Sequence, residues 1–150
     1  MPSVSATRSP TDPLDFTGKS VIVTGGTRGL GRVIAVTFLD AGADVVVCAR
    51  NAPDSPVTSS DGARSATFVA ADVREPDQVS AVVAAAVEAN GRLDVLVNNA
   101  GGAPPADSAT VSPRFNEKIL ALNLTGPMTF SQAARRAMVE PTSPSGGGVI

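Results

Sequence analysis

Ser20-Val21-Ile22-Val23-Thr24-Gly25-Gly26-Thr27-Arg28-Gly29-Leu30-Gly31 is the stretch on which the fold turns. A short apolar strand runs into a glycine-rich turn, and a helical pattern follows at once. Gly25 and Gly29 can take backbone angles closed to other residues, letting the main chain approach a ligand closely. A helix starting near Gly29 aims unpaired N–H groups and the positive end of its dipole at a pyrophosphate. The segment therefore reads as a phosphate cradle, although a glycine turn by itself is also just a tight loop. Its surroundings decide between the two.

Working outward, four runs have the character of parallel strands buried on both faces: Val21 to Val23, Asp44 to Ala49, Thr67 to Ala71 and Leu93 to Val97. Each is short and aliphatic or β-branched rather than alternating. A helix is predicted over Gly29 to Ala41, with Leu30, Ile34, Ala35, Phe38 and Leu39 on one side and Gly42 as its stop. Pro53, Pro56, Ser59, Ser60 and Gly62 favour an irregular connection over residues 51–66. Pro76 opens a helix whose apolar face is Val79, Val82, Val83, Ala86 and Val87, closed by Gly91. Ser112-Pro113 starts another, with Phe115, Ile119, Leu120 and Leu122 as its buried side. Gly126-Pro127 marks a kink or restart before a helix from Phe130 to Val139. A surface loop over 141–148 precedes Val149-Ile150, which open a fifth strand. Strands alternating with helices imply a doubly wound α/β parallel sheet, a Rossmann fold, with ligands beyond the carboxyl ends of the strands.

Bulk properties narrow the classes. The 150 residues are 43% hydrophobic and 17% charged, with a formal net charge of -2. That suits one globular domain and gives no electrostatic case for nucleic acid or an anionic membrane. There is no Trp, Tyr or His, so His-based triads and metal sites are unsupported. Cys48 is the sole cysteine, which fits a reducing, cytoplasmic setting and a small buried apolar role. Residues 1–17, rich in Ser, Thr and Pro at the start, read as a flexible arm, and 18–150 as the dinucleotide-binding domain. No run is long enough to span a bilayer.

Three ordered motifs then make the reading specific. Thr24 to Gly31 matches a Thr-Gly-x-x-x-Gly-x-Gly signature, Asn98-Asn99-Ala100-Gly101 closes the fourth strand, and Leu122-Asn123-Leu124-Thr125-Gly126 follows. Together they resemble the short-chain dehydrogenase/reductase family from about Gly18 to Ile150. The resemblance implies that Gly25, Thr27, Arg28, Gly29, Leu30 and Gly31 surround the cofactor pyrophosphate. It implies that Asp72 accepts a hydrogen bond from the adenine amino group, with Val73 flanking the ring. Asn99, Ala100 and Gly101 would lie beneath the ribose, and the Asn123 backbone carbonyl would hold a water of the proton relay, so Asn123 is the one catalytic-type residue. A plain strand-ending Asp and an Asn tolerated at a helix end are the competing readings of Asp72 and Asn123.

Charge bears on which nicotinamide cofactor fits. NAD-preferring enzymes usually place an acid at the end of the second strand. Here that position is Ala49, followed by Arg50, with Arg28 inside the glycine turn. Two guanidinium groups suit a 2′-phosphate, so NADP(H) is favoured over NAD(H). The resemblance implies a small-molecule ketone or secondary-alcohol substrate and a homodimer or homotetramer for the complete protein. It also implies a catalytic Ser, Tyr and Lys beyond the fifth strand; the chain has no Tyr, and Lys19 and Lys118 fall elsewhere. The sequence is thus read as the cofactor-binding part of a longer reductase. The alternative is a catalytically inactive nucleotide-binding or regulatory module, and a sugar-nucleotide epimerase fits less well because its glycine turn is spaced differently.

Overall fold

Valine-rich segments build a four-stranded parallel sheet in a computed structural model that describes residues 13–140 and 144–150. The strands are β1 (Ser20–Thr24), β2 (Asp44–Ala49), β3 (Thr67–Ala70) and β4 (Val95–Val97), in the order β3-β2-β1-β4. Ile22 stands opposite Val46 in β2 and Leu96 in β4, so β1 lies inside the sheet with a partner on each side. Predicted strand ends differ from the observed ones by one or two residues, as hydrogen-bond ladders fray.

Alternate residues of the central strands feed two cores. Val21, Val23, Val45 and Val47 pack with Ala35 and Leu39 of α1 (Gly29–Asp40) on one face. Ile22, Val46 and Cys48 pack on the other with Val79, Val82 and Ala86 of α2 (Pro76–Asn90). Phe130, Ala134 and Met138 of α4 (Gly126–Val139) complete that second core. Phe130 is fully buried, and burial of a side chain this size contributes about 2–3 kcal/mol. Helices on both faces make this the expected doubly wound Rossmann-type α/β fold. Gly91 ends α2 in the left-handed region, its N–H donating to Val87 O at 2.8 Å.

Several expectations need correcting. β3 is only half-buried, with Thr67 and Ala70 exposed, because it is the outermost strand among the described residues. Leu30 is 69% exposed rather than part of the core; it sits in the first turn of α1, beyond the end of the sheet. None of Phe115, Ile119, Leu120 and Leu122 is fully buried, and Leu120 is exposed. The first three belong to α3 (Pro113–Leu120), whose N-terminus is capped by Ser112, its Oγ accepting from Phe115 N–H, while Leu122 lies beyond the end of that helix. Gly126 is no restart: one π-helical turn, Ala121–Thr125, joins α3 to α4 continuously. The inner face of α4 is tightly packed, and Val139 alone of its large apolar residues past Phe130 is exposed.

At the chain start, residues 1–12 of the predicted arm lie outside the described residues, as do 141–143 of the predicted loop. Phe16, however, is tied down. Its N–H donates to Ala41 O at 2.9 Å, and its ring meets Phe38 edge-on at 5.0 Å. An aromatic side chain in that Ser/Thr/Pro-rich stretch supplies the apolar area needed to dock. Val149 forms a parallel bridge to Val95, on the side of β4 away from β1, where the fifth strand was expected. No helix among the described residues is long and apolar enough to cross a membrane.

Candidate functional site

The chain runs outward from β1 through β2 to β3, then returns to place β4 on the opposite side of β1. Such a reversal leaves a crevice beyond the carboxyl ends of the strands. An open cleft of about 640 Å³ lies there. All twelve residues assigned to cofactor binding from the sequence line it: the Gly25 to Gly31 turn, Arg50, Asp72, Val73, and Asn99 to Gly101.

Thr24, the last residue of β1, joins the cleft's two halves. Its buried hydroxyl oxygen accepts from the Asn99 and Ala100 amides, each at 2.9 Å, and donates to Val97 O at 3.3 Å. In return Asn99 Nδ2 donates to Thr24 O at 2.8 Å and Gly25 O at 3.4 Å. Gly25 N–H donates to Cys48 O at 2.8 Å, binding the turn to β2 as well. Thr24 was absent from the residues singled out for the site. Its position at a buried strand end beside the glycine turn was the available signal, but the partner is 75 residues away.

The glycines divide their work. A Cβ on Gly31 would collide with Gly25 O and Asn99 Nδ2, so this position must be glycine for the turn and the β4 loop to meet. Gly29 has φ +54, and a Cβ there would meet nothing within 4 Å; it borders open space. No side chain caps α1, whose first turn holds no acidic residue. The amides at this helix start are therefore available to an anion.

Arg28 and Arg50 are both exposed on the cleft wall, and neither forms an ion pair among the described residues. The intervening wall, residues 51–54, belongs to the irregular 51–66 connection. Arg32 of α1 holds this connection by donating to Ser55 O at 3.1 Å and Pro56 O at 2.7 Å. Asp40, also on α1, accepts from the Ser60 N–H and hydroxyl, both at 2.6 Å.

Asp72 follows β3 and is clamped by Arg74. Oδ1 accepts from the Arg74 amide at 3.0 Å and from Nε at 2.9 Å, and Oδ2 accepts from Nη2. The Arg74 hydrogen bond, opposed by partial burial and aided by the Arg50 charge, holds the Asp72 carboxyl below the usual carboxylate range. Sequence reading missed Arg74, because a pair two residues apart in a loop has no periodic signature. Cys48 forms part of the cleft lining, yet burial pushes its thiol up to about 12 against a hydrogen bond from the Gly25 backbone. It is an inert apolar group at neutral pH.

Asn123 stands apart from the cleft lining, within the π-helical turn. Its Oδ1 accepts from Gly102 N–H at 2.8 Å, while Nδ2 donates to Gly102 O at 3.0 Å and Ile119 O at 2.9 Å. The side chain thus fastens the loop after β4 to the helix, at a π-helical turn whose backbone bonds span one residue more than those of an α-helix.

Comparison with known proteins follows the same outline. Residues 19–150 match the family described as short chain dehydrogenase. The chain is 36% identical over 144 residues to the short chain dehydrogenase/reductase dpchG of Colletotrichum higginsianum, covering 93% of this chain and 54% of that protein. It is 39% identical over 121 residues to an L-fucose dehydrogenase of Oryctolagus cuniculus, covering 79% and 42% respectively. A crystal structure of a short-chain type dehydrogenase/reductase from Mycobacterium marinum superposes with a TM-score of 0.75 at 30% identity, over 84% of this chain and 52% of the other. The chain spans about half the length of these relatives.

Proposed function

The chain belongs to the short-chain dehydrogenase family, and from that premise we propose that its cleft binds NADP(H) for an oxidoreductase acting on a ketone or secondary alcohol. Family membership supports a nicotinamide cofactor in general. The preference for the phosphorylated form rests on one observation: Arg28 and Arg50 flank the cleft while β2 ends in Ala49 rather than an acid. The carboxylates on the wall are Asp54 and Asp72, and Asp72 is already paired with Arg74.

The residues present fit such a group. Gly29 leaves a cradle that a side chain would fill, and the uncapped start of α1 offers amides to the pyrophosphate. Arg28 and Arg50 would take a 2′-phosphate through charge-assisted hydrogen bonds. Asp72 and Val73 would hold the adenine, and Asn99 to Gly101 the ribose. When bound, the nicotinamide supplies or accepts the hydride. Asn123 keeps the loop after β4 in register, and we assign its backbone carbonyl the task of holding a relay water. The chain contains no tyrosine, so its residues supply cofactor binding rather than the family's proton donor. We place the protein in the cytoplasm as a homodimer or homotetramer.

Calorimetric titration tests this. NADPH should bind more tightly than NADH by about ten- to a hundredfold, the range expected from hydrogen bonds to a charged group. The double variant Arg28→Ala/Arg50→Ala should lose that preference while keeping NADH affinity. Equal losses for both dinucleotides would refute the assignment.

A further inference from the structure

Resting on the reading of the cleft as a dinucleotide site, we propose that Arg74 is a positioning residue that makes Asp72 selective for an exocyclic amino group on the bound base. Lone pairs limit what Asp72 can still accept. An ionised carboxylate offers about four acceptor positions, two on each oxygen. Oδ1 of Asp72 already accepts twice, from the Arg74 amide and Nε, and Oδ2 accepts once, from Nη2. One acceptor position remains, on Oδ2.

The carboxylate plane is fixed as well. A guanidinium fork grips both oxygens at once, and the Asp72 amide is held separately by Gln78 Oε1 at 2.8 Å. Ala71 and Val73 on either side are buried, so the backbone carrying this group has little freedom. A residue fixed in this way accepts one hydrogen bond in one direction. A purine with a 6-amino group provides that donor, whereas a 6-oxo purine presents a second acceptor and leaves two oxygens facing each other. Without the fork, Asp72 can turn towards water and the distinction weakens. Arg74 itself needs no contact with the ligand.

The test compares calorimetric binding of NADPH and its hypoxanthine analogue, in which the 6-amino group is replaced by oxygen. The parent chain should favour NADPH by about tenfold, a modest share of what a charge-assisted hydrogen bond can supply. Arg74→Met should bring the ratio to within about threefold, mainly by loss of NADPH affinity, and Arg74→Lys should restore part of it because a single donor still reaches one oxygen. Thermal melts establish that the variants are folded, and Arg74→Lys carries the test should Arg74→Met not fold. In the parent the ratio should hold as pH falls towards the ordinary carboxylate range, and in either variant it should shrink at higher pH. A ratio unchanged in both variants, or equal weakening of both ligands, overturns the role of Arg74. Failure of the parent to bind either dinucleotide instead removes the reading of the cleft.

Discussion

Replacing Thr24 with Val probes the joint that holds the cleft together. Valine keeps the branched shape β1 needs but removes the hydroxyl that accepts from the Asn99 and Ala100 amides. Thr24 is 1% exposed, so water cannot readily take its place. The Ala100 amide is left without an acceptor, at about 1–3 kcal/mol, while the Asn99 amide keeps Val97 O at 3.1 Å. With one part-buried donor orphaned, the total is about 2 kcal/mol. At about 2–4 °C per kcal/mol for a chain of this size, the melting point should fall by about 4–8 °C. Far-UV circular dichroism is the suitable assay, since the chain has no Trp or Tyr to report by fluorescence. Thr24→Ser keeps the oxygen and should stay within about 1 kcal/mol of the parent. A Thr24→Val chain within about 0.5 kcal/mol of the parent in urea unfolding would refute the bridging role of the hydroxyl.

Two further outcomes are expected. Gly31→Ala drives a Cβ into Gly25 O and Asn99 Nδ2, and should cost about 3 kcal/mol or more by overpacking; Gly29→Ala meets no atom and should cost only about 1–2 kcal/mol for its left-handed backbone, so urea midpoints that rank the two the other way contradict the division of labour. Asp94 is 7% exposed and accepts from the Ser20 amide at 2.9 Å and from Arg92 Nε at 2.7 Å. Burial raises its carboxyl, but the Arg92 and Ser20 hydrogen bonds and the charges of Arg92 and Lys19 outweigh that and leave it below the usual range. A depressed folded-state value means stability that is fully present above the unfolded value and lost as pH falls through the folded one. Asp94→Asn should therefore cost about 2 kcal/mol at pH 7, with the gap to the parent closing below about pH 4; a gap independent of pH would show the charge to be irrelevant.

The sheet was legible because its strands are unbroken valine-rich runs whose type does not depend on their neighbours. Helix α2 was equally plain, with Pro76 and Gly91 at its ends and one apolar stripe between. The glycine turn at the end of β1 pointed to the cleft by its residues alone, whereas Asp72 and Asn99 to Gly101 were named through the resemblance of their motifs to the short-chain dehydrogenase family. What could not be read was contact across space. Leu30 fits the apolar side of a helical wheel, but a wheel does not show where the sheet stops. Thr24 becomes the central tie only once β1 and β4 are neighbours. The Arg74 fork depends on side-chain rotamers in a two-residue bend, and α3 looked more buried than it is because its apolar residues have no opposing layer among the described elements.

Helix α1 grips the 51–66 connection at two points, through Arg32 and Asp40. A segment so rich in proline, serine and glycine would otherwise have to be immobilised whenever a ligand entered the cleft, at about 1–2 kcal/mol for each residue ordered. Both staples sit on the helix whose uncapped N-terminus borders the cleft, so the wall of residues 51–54 is tied back to that same helix. Substitutions confined to Asn51, Ala52, Pro53 and Asp54 should then reshape the cleft wall without loosening the scaffold, which makes that tip the natural place to redesign ligand choice.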